Sequence, residues 1–202
     1  MIKLGILASS NGTDMLAIIN EIKKGTIDAE IAIVIANKEC GALEMAKEHG
    51  LPFELIPSKE HKEREGFDRK VSSVLEHKGV QLIICIGYMR YLSPWFVDKY
   101  KNKIMNIHPS LLPAFSGGMD LNVHEAVLKH GVKVTGATLH FVDEGADTGP
   151  IILQKAVAIA HDETADSLKP KVQRAEQEII LEGIRLFSEK RLSVNGRIVQ
   201  IQ

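Results

Sequence analysis

The sequence predicts an α/β protein whose sheet is mostly parallel and covered by helices on both faces, with antiparallel strands in the C-terminal third. In the first two thirds, short apolar runs typical of buried strands alternate with segments whose apolar residues recur at helical spacing. Such alternation favours parallel pairing, because each helix returns the chain to the same end of the sheet. In the last third, the short connection DEGADTGP joins two strand-like runs and favours antiparallel pairing.

The strands of the predicted parallel sheet come from five apolar runs. These runs lie at 2–8, 31–36, 52–56, 82–86 and 104–107. The run at 82–86 is the most apolar, as expected for a strand buried on both faces. The run that begins at Pro52 is expected at a sheet edge.

Helices are predicted between these strands and again after them. Apolar residues at spacings of three and four form three helical faces, and shorter helices are expected at 42–49 and 123–129. The three faces consist of Met15, Ile18, Ile19 and Ile22; of Phe67, Val71, Val74 and Leu75; and of Leu168, Val172, Ala175 and Ile179. Pro170 lies inside the last of these patterns and predicts a late helix start or a kink.

The remaining strands are predicted in the last third. Runs at 135–142 and 151–158 flank the connection DEGADTGP. In the final stretch RLSVNGRIVQIQ, the pair Asn195-Gly196 is a good signal for a hairpin turn.

Composition and charge exclude several classes of protein. With 202 residues, of which 45% are hydrophobic and 25% charged, the chain is expected to be a soluble globular protein of one domain. Its formal net charge of −1 gives no general attraction to nucleic acid or membranes. Cys40 and Cys85 form no CxxC pair, which favours a reducing cytoplasm. The histidines show no HxxxH or HxH spacing, so no metal site is predicted.

The stretch SSNGTD, residues 9–14, follows the first predicted strand and opens the first predicted helix. Free N–H groups of such a turn point into one place, where they bind anions such as phosphate. The same residues also fit ordinary turn chemistry, with Thr13 or Asp14 as the helix cap. The stretch is neither a GxGxxG nor a Walker loop, which weakens a dinucleotide or ATP interpretation.

The segment MNIHPSLLPAFSGGMD places Asn106 and His108 at the end of a predicted strand. Side chains two residues apart on a strand project from the same face, so an amide and an imidazole are presented together. They are candidates for an oxyanion donor and an acid or base, although a polar strand end before Pro109 explains them about equally well.

Asp147 and Arg90 are further candidates. Asp147 lies in the Gly-rich connection, where it either raises the pKa of His108 by favouring the imidazolium or, the better explanation from sequence alone, serves an Asx turn. Arg90 follows the strand at 82–86 and faces either a ligand or solvent.

Four stretches carry a family resemblance that extends in order from residue 1 to about residue 190. They are SNGTD, GYMRYLSPWFV, NIHPSLLP and HEAVLKHGVKVTGATLHFVDEGADTGPIILQ. They resemble the folate-dependent formyltransferase family, and within it the phosphoribosylglycinamide formyltransferases of purine synthesis. The resemblance implies a single formyltransferase domain over residues 1–202, with a Rossmann-like twisted sheet.

The resemblance implies a reaction and its catalytic residues. The formyl group of 10-formyltetrahydrofolate, a co-substrate, passes to the glycine amine of 5-phosphoribosyl glycinamide (glycinamide ribonucleotide) without a metal. Asn106 and His108 are expected to stabilise the oxyanion, His108 to act as general acid, and Asp147 to raise the pKa of His108. A cytoplasmic monomer or homodimer is expected, with no nucleic-acid or membrane partner.

The resemblance also assigns binding residues. Those expected to hold the phosphorylated substrate are Gly12, Thr13, Asp14, Gln173, Arg174, Ala175 and Glu176. Those expected to contact the folate are Arg64, Met89, Arg90, Tyr91, Leu92, Asn106, Asp143, Glu144, Gly145, Ala146 and Asp147. Asp14 departs from the family, which often has Asn there, and its charge opposes a phosphate unless the carboxylate turns toward the helix start. The stretch SGGMDL, residues 116–121, is also atypical.

Other functions remain open. A formyltetrahydrofolate hydrolase uses the same catalytic residues with water as the acceptor, but its usual additional domain is not expected here. A folate or nucleotide-binding module of the same fold would lack catalysis, which the intact set of Asn106, His108 and Asp147 argues against. A tRNA-directed formyltransferase is disfavoured by the net charge.

Overall fold

The computed structural model of the protein describes residues 1–117 and 122–202. Within these ranges the chain forms two compact units, Met1–Asn106 and Ile107–Gln202. The division falls inside one strand, so that Asn106 ends the first unit and His108 lies at the beginning of the second.

The first unit consists of parallel strands joined by helices. Its elements are β1 (Ile2–Ala8), α1 (Thr13–Lys24), β2 (Ala29–Ala36), α2 (Gly41–Glu48), β3 (Phe53–Leu55), a 3-10 helix (Ser58–Glu60), α3 (Arg64–His77), β4 (Leu82–Ile86), α4 (Pro94–Lys99) and β5 (Ile104–His108). The strands pair in the order β3-β2-β1-β4-β5, and every pair is parallel. The predicted parallel pairing and the edge position of β3 are confirmed.

The central strands of this unit are buried on both faces. Leu4, Ile6 and Leu7 of β1 are fully buried, and so is the whole of β4. Gly5 allows α3 to approach this layer, because a Cβ atom there would lie 2.6 Å from Cδ2 of Leu75. Strands covered on both faces read as continuous apolar runs, which explains why the sequence locates them well.

Local details of the first unit differ from the sequence predictions. The six-residue α4 is absent from them because so short a helix shows no periodicity; the Oγ atom of its cap, Ser93, accepts from the N–H of Phe96 at 3.3 Å. α1 begins directly after Gly12, which has a left-handed φ of 66°. The prediction that Thr13 or Asp14 caps this helix is therefore wrong, because both residues lie inside it.

The second unit contains the end of β5 and the elements that follow it. These are α5 (Val123–Lys129), β6 (Val134–Phe141), β7 (Ile151–Ala158), α6 (Ala165–Ser188), β8 (Leu192–Asn195) and β9 (Ile198–Ile201). β6 and β7 pair antiparallel, and β8 and β9 form a hairpin, both as predicted. β9 also pairs in parallel with β7 between Ile151 and Ile198. Part of the atypical stretch 116–121, residues 118–121, lies outside the described residues.

The long helix α6 begins earlier than the proline within it suggests. Thr164 and Ser167 form a capping box at its start, so the late start predicted from Pro170 is wrong. Its predicted apolar face is confirmed, since Leu168, Val172, Ala175 and Ile179 are all buried. Within the described ranges, no helix is both long and apolar enough to cross a membrane. The predicted fold class is confirmed: helices alternate with parallel strands first, and antiparallel pairs follow in the last third.

Candidate active site

His108 and Asp147 lie side by side in the second unit. β5 ends at His108, and Asp147 belongs to the connection between β6 and β7. The Nδ1 atom of His108 is 3.4 Å from Oδ2 of Asp147. His108 is only 7% exposed, so the pair interacts with little solvent screening.

A second histidine, His140 of β6, faces the other oxygen of the same carboxylate. Its Nε2 atom lies 3.7 Å from Oδ1 of Asp147, and its Nδ1 atom donates to the carbonyl oxygen of Phe141 at 2.8 Å. The sequence predictions omit His140. The available signal was a lone imidazole in a strand that is otherwise mostly apolar. We refer to His108, His140 and Asp147 as the His108 centre.

The backbone around Asp147 fixes the orientation of its carboxylate. Asp147 has a left-handed φ of 55°, and its Oδ2 accepts from the N–H of Gly117 at 3.0 Å. The start of the connection is fixed by Asp143, whose Oδ1 accepts from the N–H of Gly145 at 3.1 Å and from Oγ1 of Thr148 at 2.6 Å. Of the two aspartates, Asp143 therefore performs the turn role that the sequence also allowed for Asp147.

The pKa of Asp147 reflects its partners more than its burial. Burial raises this pKa. Hydrogen bonds from His140 and Gly117, together with the nearby charges of His108 and His140, outweigh burial and lower the pKa to about 2. The carboxylate is therefore ionised at neutral pH. It supplies a fixed negative charge to the imidazole beside it.

The pKa of His108 is set by burial as well as by its neighbours. Burial, the largest influence, lowers it below the ordinary value. Asp147 raises it, as predicted, and so does the hydrogen bond from Nε2 to the carbonyl oxygen of Phe115 at 3.0 Å, while His140 lowers it. The net result is a lowered pKa, because desolvation of the imidazolium outweighs the neighbouring carboxylate.

The segment after His108 is held by the hydroxyl of Thr138. This hydroxyl donates to the carbonyl oxygen of Ser110 at 2.7 Å and accepts from the N–H of Leu112 and from Nε2 of Gln154, both at 3.0 Å. The residues PSLLP thus form a braced loop that leads to Phe115, whose carbonyl accepts from His108. The motif PSLLP that follows His108 therefore serves to hold this histidine in place.

Asn106 precedes His108 on β5. It pairs in register with Cys85 of β4 and is half-buried. Because it stands two residues from His108 on one strand, its side chain projects from the same face of that strand.

In the first unit, Gly12 lies in a close-packed turn. We call residues 9–14 the Gly12 turn. A Cβ atom on Gly12 would lie 2.9 Å from Cβ of Ala42. Ser9 donates to Oδ1 of Asn37 at 2.6 Å and accepts from the N–H of Met89 at 2.9 Å, so it ties together the carboxyl ends of three parallel strands. In α/β sheets ligands bind at such ends.

Thr13 and Asp14 are the first two residues of α1 and differ in their solvent exposure. Thr13 is exposed, whereas Asp14 is only 6% exposed. The first turn of the helix places the carboxylate of Asp14 near the positive end of the helix dipole.

The residues predicted to contact folate in the first unit are placed around α3. Arg64, its first residue, has Cζ 6.0 Å from the ring centroid of Tyr91, and Arg90 has Cζ 4.4 Å from that of Phe67. Met89 is 46% exposed, which leaves apolar surface open to a ligand, whereas Leu92 is buried.

The predicted substrate residues of the second unit lie in the middle of α6. Arg174 is exposed, and Gln173 and Glu176 are half-buried. Ala175 belongs to the buried apolar face, where only its backbone and small side chain are available. In the part of the chain that the structure describes, no group of three or more metal-ligating side chains is arranged to hold a metal ion.

Comparison with known proteins gives a consistent result. The family model of formyl transferases matches residues 2–184. The phosphoribosylglycinamide formyltransferase of Bacillus subtilis is 36% identical over 177 residues, which cover 87% of this chain and 89% of that protein. The crystal structure of glycinamide ribonucleotide transformylase 1 from Symbiobacterium toebii superposes with a TM-score of 0.94 at 40% identity, covering 100% of this chain and 94% of that one.

The chain also matches part of a much longer protein. The trifunctional purine biosynthetic protein adenosine-3 of Gallus gallus is 42% identical over 194 residues, or 96% of this chain. This chain spans only 19% of the length of that relative.

Proposed function

The chain belongs to the formyl transferase family, and on that premise we propose that it transfers the formyl group of 10-formyltetrahydrofolate to the amine of glycinamide ribonucleotide. The products are the formylated glycinamide and tetrahydrofolate. The observation that carries the proposal is the buried pair of His108 and an ionised Asp147, with Asn106 on the same face of β5 as the histidine.

The first step forms a carbon–nitrogen bond. The neutral amine attacks the formyl carbon, and negative charge develops on the formyl oxygen. The Asn106 amide donates to this oxygen, and so does the His108 imidazolium once its Nε2–H exchanges the carbonyl oxygen of Phe115 for the formyl oxygen; each donor contributes about 3 kcal/mol when it is preorganised. The braced PSLLP loop orients the His108 ring in the free protein, because it fixes the carbonyl of Phe115 against the ring.

The second step breaks the bond between the carbon and the folate nitrogen. The His108 imidazolium gives a proton to the leaving folate nitrogen, and the attacking nitrogen then gives a proton to the imidazole, which restores the imidazolium. Burial disfavours the imidazolium in the free protein. The oxyanion of the intermediate and the ionised Asp147 favour the imidazolium during the reaction, so the pKa of His108 rises when the intermediate is present.

Binding of the two substrates is divided among separate segments. The exposed Thr13 and the backbone N–H groups of the Gly12 turn are proposed to hold the phosphate, as helix N-termini do. Arg64 and residues 89–92 are proposed to contact the folate, together with residues 143–147. The assignment of Gln173 to Glu176 to the phosphorylated substrate remains a prediction.

One assay tests the proposal. Purified protein is given 10-formyltetrahydrofolate with and without glycinamide ribonucleotide, and both formylated acceptor and free formate are measured. Formylated product that depends on the acceptor is expected. Release of formate without acceptor would identify a hydrolase instead, and binding of folate without either product would identify a non-catalytic module.

A further inference from the structure

Helix α3 contacts both ends of α4 through two buried side chains. Oδ2 of Asp68 accepts from the N–H of Ser93, the N-cap of α4, at 2.6 Å. The hydroxyl of Ser72 lies 2.9 Å from that of Tyr100, the residue that ends α4. Asp68 and Ser72 are one helical turn apart on the same face of α3, and both are 1% exposed. Both contacts are buried and each holds one end of α4, but Asp68 is an acidic acceptor whereas Ser72 is a neutral hydroxyl.

The Asp68 end adjoins the segment 89–92, to which we assign folate contact. Ser93 directly follows Leu92, and at the other end the N–H of Met89 donates to Ser9 at 2.9 Å. The segment is therefore fixed at both of its ends by a backbone N–H that donates to a buried side-chain oxygen. Tyr91 and Met89, the most exposed side chains of the segment, are presented between these two fixed points.

The second oxygen of Asp68 is not needed for this contact. Among the described residues, Oδ1 of Asp68 is buried and accepts no hydrogen bond, and Nε of Arg90 is buried and donates none. A buried, half-satisfied carboxylate is costly to the fold, so its presence calls for a reason other than stability.

The charge of Arg90 supplies that reason. Arg90 lies against Phe67, the neighbour of Asp68 on α3, with Cζ 4.4 Å from the ring centroid. The pKa of Asp68 lies above its ordinary value, because burial raises it by more than the hydrogen bonds from Ser93 and the positive charges of Arg90 and Arg64 lower it. The carboxylate thus attracts a guanidinium of the folate segment while it holds the end of that segment.

We propose that Asp68 is a positioning residue for the formyl donor, acting through Ser93 and Arg90 to set the conformation of residues 89–92. The inference rests on the proposed function, in that it takes this segment to contact folate. Asp68 itself does not touch the reacting atoms in this scheme. Its loss should therefore weaken folate binding and leave the chemical step intact.

The test compares Asp68→Asn with Ser72→Ala. Asn keeps the shape and one acceptor oxygen but removes the charge, while Ser72→Ala removes the contact at the far end of α4. We expect Asp68→Asn to raise the KM for 10-formyltetrahydrofolate by about fivefold, with kcat and the KM of the acceptor within about twofold of wild type. Ser72→Ala should leave all three within about twofold. Asp68→Glu, which restores the charge, should recover part of the affinity.

Binding of tetrahydrofolate gives a readout that does not require turnover. Trp95, the only tryptophan of the chain, lies on α4 two residues after Ser93, so its fluorescence can report the titration. A wild-type protein that binds but does not transfer would overturn the proposed function, while the Kd of Asp68→Asn still tests this inference. Equal folate affinity in Asp68→Asn and wild type, or an equal loss in Ser72→Ala, would overturn the positioning role alone. A wild type that neither binds nor transfers would overturn both.

Discussion

The His108 centre and the Gly12 turn achieve their geometry by different means. In the His108 centre, side chains fix one another: a carboxylate faces two imidazoles at 3.4 Å and 3.7 Å, and a backbone N–H also donates to it. In the Gly12 turn, the backbone is fixed by close packing, with no room for a Cβ atom beside Ala42. The first depends on charge, and the second, apart from the hydrogen bonds of Ser9, depends on shape.

The difference teaches what each region can tolerate. A centre built from charges loses its chemistry when one group changes, even if its shape is kept. A turn built from shape loses its binding geometry when an atom is added, even if no charge changes. Substitutions in the two regions should therefore separate into effects on kcat and effects on KM.

The largest effect is expected from the donors of the centre. His108→Ala and Asn106→Ala should each lower kcat by about two orders of magnitude, because each removes a donor to the developing oxyanion. Steady-state kinetics of folded variants measure this, with the exposed His161→Ala as the control. Near-normal kcat in either variant would contradict the assignment.

Asp147→Asn tests how far the His108 centre depends on charge, because the variant should change how the free energy of unfolding varies with pH. The lowered pKa of Asp147, about 2 against an ordinary 3.8, stabilises the fold by about 2 kcal/mol at neutral pH. This contribution is complete above the ordinary pKa and is lost as the pH falls toward 2. Urea unfolding of both proteins should therefore show a difference at pH 7 that shrinks below about pH 4.

The same variant should also change the titration of His108. Because Asp147 raises the pKa of this histidine, its neutralisation should lower that pKa further. An NMR titration of the imidazole measures the change. A pKa that does not move would show that the carboxylate has no electrostatic influence on the histidine.

Gly12→Ala tests the dependence on shape. The added Cβ must adopt a left-handed φ and would meet Ala42, so the turn should distort at a cost of about 1 kcal/mol or more. We expect the KM of the phosphorylated acceptor to rise by about fivefold or more, with kcat much less affected. Gly25→Ala, where a Cβ meets no atom within 4 Å, carries the same conformational strain and is the control. A loss confined to kcat would break the comparison.

Asp14→Asn should give the smallest effect. The change removes a negative charge close to the proposed phosphate position, so the KM of the acceptor should fall modestly or stay unchanged. Loss of a favourable charge at the start of α1 should reduce stability by about 0.5 kcal/mol. Kinetics and thermal unfolding measure the two effects. A large loss of acceptor binding would mean that the carboxylate contacts the acceptor directly.

Apolar strands were the most predictable part of the fold. β1 and β4 match their predicted bounds, because a strand inside a covered sheet needs consecutive apolar residues and ends where polar ones begin. α4 escapes prediction because its six residues form less than two helical turns. The parallel pairing of β9 with β7 depends on contacts far apart in sequence, which no local pattern encodes.

The candidate site was predictable in its side chains and unpredictable in its supports. His108 and Asp147 were identified from spacing and resemblance, and the structure brings them together. The carbonyl of Phe115 carries no sequence signal, because every residue has a carbonyl and only folding selects one. The lowered pKa of His108 follows from burial, which spacing alone does not reveal.

The hydroxyl of Thr138 makes as many hydrogen bonds as a hydroxyl can. A hydroxyl can donate once and accept twice, and this one does all three, to Ser110 and from Leu112 and Gln154. Valine has the same shape, yet at this position it would leave the buried carbonyl of Ser110 and the buried N–H of Leu112 without this partner. Within an otherwise mostly apolar strand, the identity of one residue is thus dictated by a loop more than twenty positions away, which exists to steady a histidine.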